Sequence, residues 1–184
     1  VERIVIAELD EVVIRIARDY FQNIHHGALD DPRVEVRIGD GLAYVRDTAE
    51  RFDLVLLDLT DPDTPASALY TAEFFSSVKK LLNPGGAMVL HTASPIFRPD
   101  IVRTLYQRLQ KNFTIVAPMG LYIPLYGAYW SLAVCSESLD PRNASSAQIA
   151  ELIASANLKD LQYFNPATHQ GLFALPNYFK NLVD

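Results

Sequence analysis

The sequence predicts an α/β protein built on an open, mostly parallel β-sheet. Short apolar runs rich in β-branched residues alternate with segments whose apolar residues recur at helical spacing. This alternation is typical of βαβ units, in which consecutive strands are parallel. The 184 residues are 49% hydrophobic and 21% charged, which is ordinary for a globular protein and sufficient for one domain with a substantial core.

The first part of the chain predicts four strands, each followed by a helix. The strand-like segments are 3–9, 31–40, 52–59 and 86–94. The helical patterns that follow them are 10–21, 41–49, 67–82 and 99–113. The third strand, "FDLVLLDL", is apolar on both faces, which is typical of a central parallel strand.

The later part of the chain predicts a strand pair and two helices. Residues 114–124 and 129–137 are interpreted as antiparallel partners, and helices are predicted over 145–157 and 176–184. Two longer stretches, around 23–33 and 157–172, show no regular pattern. Loops of that length are more often functional or mobile than idle.

Charge and composition argue against several kinds of partner. The net charge of −6 disfavours nucleic acid or an anionic membrane, and no apolar run reaches the roughly 20 residues of a membrane span. Cys135 is the single cysteine, so no internal disulfide can form, which fits a reducing, cytoplasmic compartment. The spacing of His25, His26 and His169 matches no metal motif.

Polar residues follow the four predicted parallel strands, where ligands of open α/β sheets bind. They are Glu8, then Asp40 with Gly41, then Asp58 with Asp61, then His91. An acid in the place of Glu8 accepts hydrogen bonds from ribose hydroxyls, roughly 20 residues after a glycine-rich turn. A solvated strand end accounts for Glu8 equally well.

The three aspartates differ in how far a structural role explains them. Asp40 in "GDGLAYV" fits a helix N-cap, and it also fits an acceptor for an adenine amino group beside Gly41. Asp61 before Pro62 fits a turn or a cap. Asp58 extends an apolar strand, so we expect it to be partly desolvated, and residues 54–70 contain no Lys or Arg to pair with it. A cationic ligand could pair with the Asp58 carboxylate in place of a Lys or Arg side chain.

The chain resembles the polyamine aminopropyltransferases, the spermidine synthase family. The similar stretches are collinear and cover most of the chain: "IAELDEVVIRIAR" (6–18), "DDPRVEVRIGDG" (30–41), "FDLVLLDLTDPDTPASALYTAEFF" (52–75), "NPGG" (83–86), "YIPLY" (122–126) and "YFNPATHQGLFALP" (163–176). The resemblance implies a Rossmann-like sheet of the S-adenosylmethionine-dependent methyltransferase type. Residues 1–184 would be a single catalytic domain, truncated at its N-terminus, without the family's first strand, glycine-rich turn and small N-terminal β-domain.

The resemblance also implies an activity and its co-substrate. An aminopropyl group would pass from decarboxylated S-adenosylmethionine to an amine such as putrescine, giving spermidine and methylthioadenosine. No prosthetic group or metal is implied. The protein would be a cytoplasmic homodimer or homotetramer that binds a small-molecule polyamine.

Individual residues take roles from the same resemblance. Glu8 would bind the ribose, and Asp40 and Gly41 would contact the adenine, with Pro65 and Leu69 packing near it. Asp58 would be the catalytic acid/base residue, Asp61 would hold the polyamine and Tyr126 would hydrogen-bond the attacking amine. Residues 58–70 would form a gate loop over both substrates.

Three departures from the family pattern leave the acceptor open among putrescine, spermidine and agmatine. Tyr126 is followed by "GAYW" rather than Pro-Ser/Thr-Gly, "DLTDP" lacks two serines between its aspartates, and "HTAS" replaces Gln-x-Glu. The last two look more like the thermospermine-type branch. His91 in "HTAS" is interpreted as a polar strand end rather than a base.

Two other functions stay open from the sequence. One is an S-adenosylmethionine-dependent methyltransferase, which Asp58 and Asp61 disfavour because the carboxylate of that ligand would meet an acidic rim. The other is a non-catalytic spermidine synthase-like module.

Overall fold

The computed structural model describes residues 1–60 and 65–184 as two compact units. The first unit is Val1–Ala49 and the second is Glu50–Asp184. The prediction of a single domain over residues 1–184 stays a prediction. The predicted role of Asp61 falls on a residue outside the described part of the chain.

The first unit pairs two parallel strands with short helices. Its elements in order are β1 (Ile4–Glu8), α1 (Glu11–Tyr20), α2 (Gln22–His25), a 3₁₀-helix (Ala28–Asp30), β2 (Val34–Ile38) and α3 (Gly41–Asp47). The register runs from Ile4 opposite Val34 to Glu8 opposite Ile38. Parallel pairing therefore brings the carboxyl ends of both strands, and the helix starts that follow them, to the same edge.

The second unit is larger and contains a four-stranded sheet. Its strands are β3 (Phe52–Leu57), β4 (Leu82–Ala93), β5 (Ile115–Ile123) and β6 (Ala128–Ser136). Its helices are α4 (Ala72–Leu81), α5 (Pro99–Gln110), α6 (Ser146–Ser155), α7 (Pro166–Phe173) and α8 (Asn177–Val183), with 3₁₀-helices at Pro65–Tyr70, Pro124–Tyr126 and Pro141–Asn143.

The strand order in this sheet is β3-β4-β6-β5. β3 and β4 are parallel, whereas β6 is antiparallel to β4 on one side and to β5 on the other. The predicted antiparallel pair is confirmed, with Ile115 opposite Ser136 and Ile123 opposite Ala128. β4 is thus the strand at which the sheet changes from parallel to antiparallel pairing.

The core of the second unit forms between its sheet and its helices. The fully buried side chains, all less than 2% exposed, include Phe75 and Val78 of α4, Val102, Leu105, Tyr106 and Leu109 of α5, and Phe179 of α8. The ring of Tyr106 packs edge-on against Phe179, with 6.0 Å between centroids. Cys135 of β6 is buried as well, and burial raises the pKa of its thiol, so it packs as a small apolar side chain.

The structure departs from the sequence prediction at β3 and in both stretches that showed no regular pattern, since residues 23–33 include part of α2 and the 3₁₀-helix Ala28–Asp30. β3 was expected to be a central strand with both faces covered, but it is the end strand of the described sheet, and Leu54 and Leu56 are 52% and 65% exposed. The stretch 157–172 is not free of regular structure, because α7 begins at Pro166. The Asn165 side chain accepts from the Ala167 and Thr168 amides, and the Thr168 hydroxyl accepts from the Asn165 amide, forming a capping box.

Among the helices that the structure describes, none combines the length and apolar character needed to cross a bilayer.

Leu109→Ala is expected to lower the free energy of unfolding by about 2 to 5 kcal/mol, because it empties a fully buried position on α5. The matched control is Leu152→Ala on α6, where the side chain is 61% exposed. That change should alter the free energy of unfolding by less than about 0.5 kcal/mol. Urea denaturation followed by circular dichroism measures both, and equal losses would contradict this assignment of the core.

Candidate functional site

In the first unit, the predicted nucleoside-binding residues lie at the carboxyl edge of β1 and β2. Glu8 ends β1, and its Oε1 accepts from the Asp10 amide at 2.9 Å. Asp40 follows β2, and the Gly39 amide donates to the Glu8 carbonyl at 2.8 Å. Glu8 and Asp40 therefore belong to one hydrogen-bonded corner, as the parallel pairing requires.

Asp40 has a structural role that is visible in the structure. Its Oδ1 accepts from the Leu42 amide at 2.8 Å, which makes Asp40 the N-cap of α3. Asp10 caps α1 in the same way through the Val12 amide, also at 2.8 Å. The N-cap interpretation of Asp40 is confirmed, and its adenine-binding role stays a prediction.

The backbone at Gly41 has open space beside it. A Cβ atom built on Gly41 would meet no heavy atom within 4 Å among the described residues. This space leaves room for a ligand beside the start of α3.

In the second unit, Asp58 follows directly after β3 and its side chain is exposed. The expected partial desolvation of Asp58 is therefore wrong for the described part of the chain. The reason is the position of β3 at the end of its sheet, where it has a neighbouring strand, β4, along only one of its two edges. Asp58 lies in the residues that connect β3 to the 3₁₀-helix Pro65–Tyr70, which contains Leu69 as a half-buried residue.

The register of the sheet brings three chain segments to the edge that carries Asp58. Leu57 lies opposite Leu90, so the next residues, Asp58 and His91, emerge from neighbouring parallel strands. His91 in turn lies opposite Leu132 of the antiparallel β6, whose first residue, Ala128, is at the same edge. Tyr126 ends the 3₁₀-helix Pro124–Tyr126, two residues before β6 begins.

His91 links the residues after Asp58 to the rest of this edge. Its Nε2 contacts the Leu59 carbonyl oxygen and lies 3.3 Å from the Tyr70 hydroxyl. The Tyr70 hydroxyl donates to the Thr60 carbonyl at 2.9 Å. The two carbonyls that follow Asp58 thus both contact side chains of the second unit, those of His91 and Tyr70.

An aromatic series connects the same histidine to Tyr126. The His91 ring lies 6.2 Å from the Trp130 ring, and Trp130 packs against Tyr126 with 4.7 Å between centroids. Tyr126 itself is 55% exposed, so a ligand can approach this residue. Asp58 and Tyr126 were predicted separately, and the structure joins their segments through His91 and Trp130.

Three of the residues that these contacts bring together, Tyr70, His91 and Trp130, were not predicted as catalytic or binding residues. Tyr70 was assigned to a helix and to the end of the predicted gate loop, His91 to a polar strand end, and Trp130 to a strand. The sequence carried one usable signal, the histidine at the carboxyl end of a buried apolar strand.

The described residues contain no group of three or more His, Cys, Asp or Glu side chains arranged to hold a metal ion.

Comparison with known proteins defines the class to which this fold and site belong. A family model described as "Spermine/spermidine synthase domain" matches residues 1–145. The chain therefore belongs to the spermine/spermidine synthase family. It is 41% identical to the polyamine aminopropyltransferase of Nitrosomonas europaea over 182 residues, covering 99% of this chain and 56% of that protein. The chain thus spans little more than half the length of this relative.

Solved structures give the same picture. Spermidine synthase from Thermotoga maritima superposes with a TM-score of 0.86 and 30% identity, covering 99% of this chain and 60% of that one. A spermidine synthase in complex with the transition state analogue AdoDATO superposes with a TM-score of 0.89, covering 100% and 61%. Human methyltransferase-like protein 13 in complex with SAH, at 19% identity and a TM-score of 0.64, shares the fold. The predicted Rossmann-like fold of the methyltransferase type is confirmed.

Asp40→Ala is expected to lower the free energy of unfolding by about 1 kcal/mol, because the Leu42 amide loses its acceptor at the start of α3. Asp40→Asn keeps a capping oxygen and should stay within a few tenths of a kcal/mol of the wild type, roughly in line with the near-equal ranking of the two residues as caps. Chemical denaturation compares the two variants. An Asn variant as unstable as the Ala variant would show that charge, not capping, is what Asp40 contributes.

Proposed function

We propose that this chain carries the catalytic part of an aminopropyltransferase. The reaction moves an aminopropyl group from decarboxylated S-adenosylmethionine to an amine such as putrescine, releasing methylthioadenosine. Membership of the spermine/spermidine synthase family supports the reaction class. The observation that carries the proposal furthest is the shared sheet edge at which Asp58 and the segment of Tyr126 meet.

The chemistry requires acidic side chains at this edge. A primary amine with a pKa near 10.4 arrives protonated and must lose its proton before it attacks the carbon beside a sulfonium. Two positive charges about 4 Å apart repel by about 4 kcal/mol at an effective dielectric of 20, which is worth about three pK units. That repulsion favours loss of the proton, and it also opposes binding of the amine. Carboxylates offset the repulsion while accepting the proton.

Each predicted residue has a place in this reaction. Asp58 accepts the proton that the amine releases and aligns the nitrogen lone pair. Tyr126 offers its hydroxyl to the amine, and Asp61 holds the distal positive charge of the polyamine. The residues proposed for the nucleoside are Glu8, Asp40, Gly41, Pro65 and Leu69.

The exposed position of Asp58 suits this role. A proton acceptor must reach the proton it removes, within hydrogen-bond distance in the substrate complex. Closing the site around the two reactants then excludes water and holds the amine in line with the sulfonium carbon. Most of the rate enhancement is expected from this alignment.

His91 and Ala93 bear on the choice of acceptor. They occupy the carboxyl end of β4, where many members carry Gln-x-Glu, so the site has one carboxylate fewer for the amine. We propose that the acceptor amine is shorter than the amine bound by members that carry this Glu, or that it binds in a different orientation. The oligomeric state proposed is a homodimer or homotetramer, and the proposed location is the cytoplasm.

The test is release of methylthioadenosine by the full-length gene product. Decarboxylated S-adenosylmethionine is supplied with putrescine, agmatine, cadaverine or spermidine in separate reactions. Release with one amine is the expected result and identifies the acceptor. Binding of S-adenosylmethionine without release would favour a methyltransferase, and the absence of both would favour a non-catalytic module.

Asp58→Asn is expected to lower kcat by about 10²- to 10⁴-fold, because the amide cannot accept the proton. The affinity for methylthioadenosine should change by less than about twofold, since Asp58 is proposed to act on the amine and not on the nucleoside. The matched control is Asp53→Asn, an exposed aspartate on the same strand whose carboxylate accepts from the Asn83 side chain at 2.8 Å. A rate near the wild-type value in Asp58→Asn would remove Asp58 from the mechanism.

A further inference from the structure

The residues on either side of Asp58 are both held by β4. Leu57 pairs with Leu90 in the parallel ladder, and the Leu59 carbonyl contacts His91 Nε2. Asp58 lies between these two attachments. The next carbonyl, that of Thr60, accepts from the Tyr70 hydroxyl at 2.9 Å. The backbone that carries the Asp58 carboxylate is therefore tied at Leu57, Leu59 and Thr60.

The hydrogen bonds fix the tautomer of His91. A carbonyl oxygen can only accept, so the nitrogen that contacts Leu59 must carry the hydrogen. The neutral imidazole then has its hydrogen on Nε2 and its lone pair on Nδ1. Nδ1 is buried and has no hydrogen-bond partner among the described residues. With Nε2 occupied by a backbone carbonyl, His91 acts on the chain rather than on a substrate proton.

Tyr70 is held firmly in place beside His91. Its side chain is fully buried, and its backbone carbonyl accepts from Arg108 Nη1 of α5 at 2.9 Å. The Tyr70 ring meets the His91 ring edge-on, with 6.3 Å between centroids. Trp130 lies 6.2 Å from the same imidazole. The two rings limit the rotation of the imidazole, so the donor on Nε2 keeps its direction.

We propose that His91 and Tyr70 are positioning residues, which hold the backbone of residues 58–60 so that the Asp58 carboxylate meets the attacking amine. This role rests on the proposed function of Asp58. A misplacement of about 1 Å in a reacting group can cost about 10²-fold in rate. Loss of either hydrogen bond should therefore reduce kcat, whereas the affinity for the nucleoside should change little, because the substitutions leave the proposed nucleoside residues unchanged.

Three variants of the full-length gene product test the role. His91→Leu removes the donor, Tyr70→Phe removes the hydroxyl but keeps the buried ring, and His91→Gln restores a side-chain N–H donor. The expected result is a 10- to 100-fold lower kcat for His91→Leu and Tyr70→Phe, with recovery to within about fivefold for His91→Gln, as roughly scaled from the cost of misplacement. The affinity for methylthioadenosine should stay within about twofold of the wild type.

The matched control is Tyr106→Phe. It deletes another buried tyrosine hydroxyl of the same unit, one that donates to the Leu132 carbonyl at 2.8 Å rather than to residues 58–60. Its loss of stability should resemble that of Tyr70→Phe, and its kcat should stay near the wild-type value. An equal fall in kcat in the two Phe variants would overturn the proposal, since general destabilisation would then explain both.

A second measurement keeps this proposal separate from the proposed function. Hydrogen exchange of the amides of residues 58–60 should be faster in His91→Leu than in the wild type, and close to the wild type in His91→Gln. This readout needs no catalytic activity. Unchanged exchange in His91→Leu would overturn the positioning role, even if aminopropyl transfer is observed. Faster exchange in a protein without transferase activity would show that His91 holds the backbone of residues 58–60, and it would reject the proposed function.

Discussion

The parallel pairing of β3 with β4 is the constraint on which the second unit's site depends. It places Leu57 opposite Leu90, so that Asp58, the residue after β3, lies next to His91 of β4. β4 is in turn fixed by burial, since Met88 and Leu90 are at most 1% exposed. At its carboxyl end Thr92 bonds to Ser131 at 2.6 Å, and Ser131 donates to the Ala93 carbonyl at 2.7 Å. The position of Asp58 is therefore set by the pairing of β3 with β4, a strand that is itself fixed in the buried core.

The proposed aminopropyl transfer would have to resolve a conflict between binding and reaction at this edge. A protonated amine and a sulfonium repel each other, which helps the amine to lose its proton and hinders its entry. In the proposed reaction, the exposed Asp58 carboxylate on a fixed backbone would meet both requirements, because it would attract the amine and then receive its proton. Exposure alone would allow the carboxylate to point elsewhere. Attachment of the neighbouring carbonyls to His91 and Tyr70 limits that freedom.

Local patterns predicted most of the elements and the residues at their ends. The alternation of "VEVRI" gave β2, and the Asp before "GLAYV" gave the N-cap of α3, because both signals lie within a few residues of what they determine. Helix α7 was not predicted, although Asn165 and Pro166 carry a local helix-start signal.

Features that depend on contacts between residues far apart in the chain could not be predicted from the sequence. The apolar run of β3 is the same whether the strand is central or at the end of a sheet, and strand order decides its exposure. The contacts of His91 with Leu59 and Tyr70 join residues 32 and 21 positions apart. They follow from the register of β3 on β4, which a single sequence does not specify. Asp58 could be predicted as a candidate, whereas the residues that hold it could not.

The identity of the transferred group tests the central claim most directly. The full-length gene product is incubated with S-adenosylmethionine and its decarboxylated relative together, in the presence of putrescine, spermidine and agmatine, and the amines are analysed by mass spectrometry. The expected product is an amine heavier by one aminopropyl group, with methylthioadenosine as the co-product. An amine heavier by one methyl group, with S-adenosylhomocysteine as the co-product, would contradict it.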